Sequence, residues 1–291
     1  MKKTVCCSLF MLLAMIAFCQ KKDTTLFSHF QLRQTFGNSD GTSSPAELQL
    51  TLPGGGKDSW LVDAAVALRI DPLSGDYGYS KIVAEYHRNT ALDEQQNNYQ
   101  FGYNYQYLKT NDGLSIAINS NLKYVRDVVD TSNSIALTAN FSPYLAGLHR
   151  LNLGRNAYLD NKHYTYSLTP YLELQYQHLF AATSTVKNGD ILRPVVNISG
   201  SFALNRAATD KKIIKPSKLL EFCYGYSARY AVVNTSTDER FTKLFKAGLN
   251  YYLIDNKSVS ISLGANYNLG SDPLNGLVDQ NFWQFALQAQ I

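Results

Sequence analysis

The chain has 291 residues, with 27 basic against 23 acidic, 20 Tyr, 14 Phe and only 8 Pro. That near-balance of charge excludes the strongly basic surface of a nucleic-acid binder, so no nucleic-acid partner is expected. A heavy aromatic load with slightly negative mean hydropathy fits strands that show one face to lipid and the other to water.

Lys2 and Lys3 open the chain, an uncharged run follows from Val5 to Phe18, and Ala17-Phe18-Cys19 precedes Gln20. This is the pattern of a secretory signal peptide over residues 1–19. Its apolar run is too short for the ~20 residues of a spanning helix. Cleavage before Gln20 removes Cys6, Cys7 and Cys19 and leaves Cys223 alone, so no intramolecular disulfide can form. No later stretch is long and apolar enough to span as a helix, which leaves a barrel as the spanning option. Residues 20–46, with Phe27 to Phe36, read as an N-terminal periplasmic or lumenal piece, and residues 47–291 as the barrel.

Twelve segments of period two follow, near 47–53, 59–70, 79–89, 97–109, 114–126, 133–143, 164–180, 191–204, 218–233, 240–254, 258–269 and 281–291. Most reach the ~9 to 11 residues of a tilted spanning strand. The expected fold is therefore all-β, an antiparallel transmembrane barrel of about twelve strands. In the fourth, Tyr99, Phe101, Tyr103, Tyr105 and Tyr107 alternate with Gln100, Gly102, Asn104 and Gln106, and the odd set is expected to face lipid.

The aromatic girdles are assigned to Trp60, Tyr164, Tyr166, Tyr176 and Trp283. The ten steps from Tyr166 to Tyr176 project to ~23 Å at ~45° tilt, close to the ~25 Å apolar band of such barrels. Trp60 and Trp283 are each placed as the first outward residue of a descending strand. Pro170, mid-strand, is expected to force a bulge. Residues 144–163 and 205–217 read as long periplasmic connections. Short turns at Lys109 to Gly113 and Asp255 to Ser258 fall on the same side. The loops near 90–96, 181–190, 234–239 and 270–280 read as extracellular, and Asp272 to Gly276 has turn chemistry.

Inward positions carry Asp63, Arg69, Lys81, Glu85, His87, Lys123, Glu173, Arg193, Glu221, Arg229 and Lys246. Charges of both signs inside such a wall must be paired or hydrated. They brace a filled lumen or line a narrow hydrated pore, and twelve strands lie between the filled and the open cases.

The run Gly54-Gly55-Gly56-Lys57 lacks the Gly and Ser/Thr of a phosphate loop, since Thr51 and Asp58 occupy those positions, and it reads as a hairpin loop. Glu85 and His87 share one face ~7 Å apart but have no further ligands at a recognisable spacing, so neither a metal nor a cofactor is expected. The outer-membrane phospholipase family places a strand His two residues before a catalytic Ser. None of His29, His87, His149, His163 and His178 stands so, and His163-Tyr164-Thr165 comes nearest, with Thr at the nucleophile's place.

The signal segment, the tyrosine-rich alternation and the terminal ladder Phe285, Leu287, Ala289, Ile291 resemble Gram-negative outer-membrane β-barrel proteins. The resemblance implies an outer-membrane location, contact with outer-membrane lipids and lipopolysaccharide, and insertion by the outer-membrane assembly machinery. A porin-like passive channel or a structural and interaction protein of the cell envelope is expected rather than an enzyme. The alternative is a barrel enzyme acting on phospholipid or lipopolysaccharide.

Overall fold

A computed structural model describes residues 30–36, 46–51, 59–70, 73, 77–90, 95–109, 114–145, 157–159, 163–181, 187–206, 216–256 and 259–290. The chain divides into residues 1–30 and the unit Gln31–Ile291, and of the first only Phe30 is described. The signal segment, the junction at Gln20 and the Gly54 to Lys57 run lie outside the described residues.

The strands are β1 (Phe30–Arg33), β2 (Ala46–Thr51), β3 (Ser59–Arg69), β4 (Gly78–Asn89), β5 (Gln96–Lys109), β6 (Leu114–Asp127), β7 (Ser132–Leu145), β8 (Ala157–Leu159), β9 (Tyr164–Ala181), β10 (Gly189–Asn205), β11 (Lys218–Tyr230), β12 (Val233–Asn234), β13 (Phe241–Asp255), β14 (Ser260–Asp272) and β15 (Leu277–Gln290). Twelve of them close a ring, in which β2 to β7 run in order to β9, β10, β11, β13, β14 and β15, and β15 returns to β2. Every pairing in the ring is antiparallel. The expected twelve-stranded antiparallel barrel is the fold. Of the three remaining strands, β1 pairs with β3, β8 extends the edge of β9, and β12 follows β11 along β10.

The wall is inverted relative to a soluble protein. On β5, Phe101 is 59% exposed while the neighbouring Gln100 is 2% exposed. The same split holds on β9, where Leu172 and Leu174 face out and Glu173 and Gln175 face in. Large apolar and aromatic side chains cover the outside, and Asn, Gln, Ser, Thr and charged groups fill the inside. Only a lipid solvent makes such an exterior favourable, so the chain is a membrane-spanning barrel.

Pro170 makes no bulge. The β9 to β10 register runs unbroken through Pro170 opposite Ile198. On its other side the β7 to β9 ladder stops at Phe141 opposite Leu172. Continuing that register would set Pro143 against Pro170, and neither can donate, so the ladder ends there instead. Pro194 acts similarly, falling in the break between the β10 to β11 pairing, which starts at Val195, and the β10 to β12 pairing at Leu192.

β2 begins and β15 ends at one end of the barrel, here called proximal. The short connections after β5 and β13 lie there too, as do the longer ones after β7 and β10. At the opposite, distal end the β14 to β15 connection is a 3-10 turn, Pro273–Asn275, closed by Gly276 at φ 68°. A Cβ on Gly270, at φ 109°, would come within 2.0 Å of the Lys243 carbonyl oxygen, so the hairpin can bend there only with glycine. The residues near 270–280, read from sequence as an extracellular loop, fold instead into the lumen.

Candidate functional site

The eleven charged positions marked from sequence sit on the inward parity of their strands, and they separate into clusters. In the first, the His87 imidazole bridges the carboxylates of Asp63, through Nδ1, and Glu85, 3.2 Å from Nε2. Lys123 Nζ donates to Glu85 Oε1 at 2.7 Å and to Gln100 Oε1 at 3.1 Å. A segment from outside the barrel strands completes this cluster. Gln34 donates to Asp63 Oδ2 at 2.5 Å, Thr35 Oγ1 to Glu85 Oε2 at 2.9 Å, and the backbone N–H of Phe36 to Glu85 Oε1 at 3.0 Å. Asn119 Nδ2 donates to the Phe36 carbonyl at 3.3 Å, and the ring of Phe36 packs on Ala65, Ala67 and Val83. Lys81 Nζ stands 5.5 Å from that ring, and Arg69 covers Tyr79 at 4.6 Å.

A second cluster holds the inward-folded distal turn. Arg229 donates to the Ser271 carbonyl and to Asp272 Oδ1, both at 3.2 Å. From the facing wall, Gln96 donates to the Asn275 carbonyl at 2.6 Å and Gln100 to Asn275 Oδ1 at 2.8 Å. Leu274 inserts between Val125 and Ala136. The turn is thus a cap tied to opposite sides of the barrel.

Glu221 accepts from Lys218 Nζ at 2.6 Å and from the Tyr252 hydroxyl, near the proximal end. Glu173 accepts from Gln175 at 2.7 Å, and Arg193 donates to Gln177 at 3.3 Å. Lys246 lines the lumen without an ion pair among the described residues.

Sequence reasoning missed Glu47, whose buried carboxylate accepts amide N–H from Gln284, from Gln288 at 2.8 Å and from Asn266 at 2.9 Å. It stands where the ring closes, with Leu48 opposite Leu287 and Ala46 opposite Ala289. Its inward parity at the start of the first barrel strand was the available signal. In the phospholipase-like pair, the Thr165 hydroxyl accepts from Asn205 Nδ2 at 2.7 Å.

Of the girdle residues, Trp60 lies under the Arg88 guanidinium at 4.4 Å, Tyr164 stacks on Phe202 at 5.7 Å, and the Tyr176 hydroxyl donates to Asp190 at 2.7 Å. Tyr166 faces out, half-buried, between them. Trp283, 66% exposed, packs on Tyr267. It is not the first outward residue of its strand, because β15 starts six residues earlier at Leu277 and carries the cap.

Two cavities are formed among the described residues. A chamber of about 320 Å³ runs beside the lumenal segment, with Lys218, Glu221 and Tyr252 towards one end and Asp272 and Asn275 of the cap at the other. A vestibule of about 240 Å³ lies across the cap, lined by Asp127, Arg193, Glu239 and the cap residues Ser271, Pro273 and Gly276. In that vestibule, partial burial raises the Glu239 carboxyl above the usual range, with Asp279 adding to the shift and Arg193 opposing it.

No protein-family model matches the chain, and no curated protein matches it. Among solved structures it is similar to a chain from work on the in-meso crystallization of membrane proteins, with 11% identity over 90% of this chain and 83% of that one, at a TM-score of 0.38. It is also similar to the siderophore receptor PirA from Pseudomonas aeruginosa, with 10% identity over 92% of this chain and 41% of that one, at a TM-score of 0.29. Likeness at this level carries no inference, and the architecture stands on the closed ring and its inverted wall.

Proposed function

We propose that the protein is an exported barrel of the Gram-negative outer membrane that works as a narrow, gated passage for small polar solutes. The observation that carries this is the cap: one turn, Asp272 to Gly276, lines both the chamber and the vestibule. Glycines with positive φ flank it on both sides. In this reading the proximal turns face the periplasm, the outward side chains meet outer-membrane lipid and lipopolysaccharide, and the assembly machinery inserts the barrel. The passage is non-enzymatic.

Single-channel recording in planar bilayers tests it. The native protein is expected to give small, infrequent steps, and a variant with Pro273, Leu274 and Asn275 replaced by two glycines larger and steadier ones. Silence from both proteins would make the barrel a structural element of the envelope. Phospholipid hydrolysis that disappears in a His87→Ala/His163→Ala variant would replace the passage with an enzyme.

A further inference from the structure

The chamber beside the Gln34 to Phe36 segment has a chemistry of its own. Among the amide side chains that line it are Asn197, Asn250, Asn266, Asn268, Gln284 and Gln288. Their orientation is set from the wall. The Glu47 carboxylate accepts from the NH2 groups of Asn266, Gln284 and Gln288, which fixes how the three amides are turned. The carbonyl oxygens of Gln284 and Gln288 are then taken by Asn268 and Ser262. That of Asn266 stands over Gly248, where a Cβ would lie 2.2 Å from it.

Asn250 adds a second acceptor. Its residue is 6% exposed and its Oδ1 has no hydrogen-bond partner. That oxygen is covered, so a solute donor meets it only when the Asn250 side chain turns towards the chamber, and the bond then made offsets a costly unmade one. The available protein donor is the Lys246 ammonium, with Glu47 and Asp272 acting on it from beyond ion-pair distance. Across the ladder from Lys246 is Gly225, where a Cβ would meet nothing within 4 Å. The chamber is therefore open at the position its cation overlooks.

We infer that this chamber is a binding site for an uncharged, hydroxyl-bearing solute of the size of one sugar ring. Hydroxyls donate to Asn250 Oδ1 and Asn266 Oδ1 and accept from Lys246, which uses all three groups. An anion would meet two carbonyl oxygens with Glu47 and Asp272 near by, and a cation would meet Lys246. The volume of about 320 Å³ lies at the lower end of small-molecule sites and sets the size. The site depends on the gated-passage reading only for the route by which solute enters.

The test is calorimetric titration of the detergent-purified full chain with glucose, ribitol, glucuronate and glucosamine. Glucose and ribitol are expected to bind in the millimolar range and the two charged sugars more weakly. Gly225→Trp, at a position where a Cβ meets nothing within 4 Å, puts a large side chain into the open space and should weaken glucose binding by about tenfold or more. Asn250→Leu keeps the side-chain volume, removes the acceptor and should weaken it by about threefold or more. A heat-modifiable gel mobility shared by both variants and the native chain would show that the barrel is folded. Equal binding by Gly225→Trp and the native chain overturns the inference, as do preference for a charged sugar and absence of binding even with the cap shortened. Binding without conductance would sink the passage and spare this site, whereas conductance without binding would do the reverse.

Discussion

The backbone N–H of Phe36 points at the carboxylate of Glu85, 3.0 Å from Oε1, so a segment that precedes the barrel is held by the middle of its wall. The same carboxylate receives Thr35 and Lys123, and Asn119 reaches back to the Phe36 carbonyl. Polar ends fix the segment, and the ring of Phe36 fills the small gap above Ala65, Ala67 and Val83.

Glu85→Gln is expected to release this segment. It leaves Lys123 buried without its counter-charge, which costs about 3 to 5 kcal/mol, and places N–H where the Phe36 N–H needs an acceptor. Phe36→Ala should cost about 3 kcal/mol by cavity formation. Trypsin cleavage after Arg33 reads the release. Both variants should be cut within a time that leaves the native chain intact, and equal resistance would show that Glu85 does not hold the segment.

The cap has a comparable anchor in Arg229, whose guanidinium reaches both the Ser271 carbonyl and Asp272. Charge-assisted bonds of this kind contribute about 1.5 to 3 kcal/mol each. Cys223 lines the chamber and is the sole cysteine beyond residue 19, so its reaction rate with an anionic methanethiosulfonate reports access. Arg229→Ala should raise that rate by about tenfold, and an unchanged rate would remove Arg229 as the latch.

The wall was legible in the sequence because lipid and water impose a strict period of two on every strand. The lumenal contents were not. Gln34, Thr35 and Phe36 bind through isolated polar contacts to residues 29 to 50 positions away and leave no periodic mark. The cap was read as a surface turn since its chemistry is that of a turn, and only the insertion of Leu274 between Val125 and Ala136 places it inside. Pro170 was misread for a related reason. A proline forces a bulge only where both neighbouring ladders continue, and Pro143 on the next strand ends one of them.

Closure of the ring should depend on Glu47. Glu47→Ala leaves the amides of Asn266, Gln284 and Gln288 without their shared acceptor at the seam between β15 and β2. Each lost partner costs about 1 to 3 kcal/mol, so the heat-dependent gel shift should move to lower temperature by about six degrees or more. Glu47→Gln keeps one acceptor oxygen and should fall between. A Glu47→Ala barrel that melts with the native one would mean that backbone pairing alone closes the seam.

The two tryptophans test the lipid-facing wall directly, since they are the only ones in the chain. Trp283 is 66% exposed on the outer surface beside the equally bare Phe285, whereas Trp60 lies beneath Arg88 at the start of β3, with a guanidinium that needs water or headgroups. In vesicles of lipids brominated along the acyl chains, a Trp60→Phe protein, which keeps Trp283, should show blue-shifted emission and strong quenching. A Trp283→Phe protein, which keeps Trp60, should be quenched less by acyl bromine and more by a headgroup-level quencher. Emission from Trp283 that ignores the brominated chains would mean that this face does not meet lipid, and with it the assignment of the whole exterior would fall.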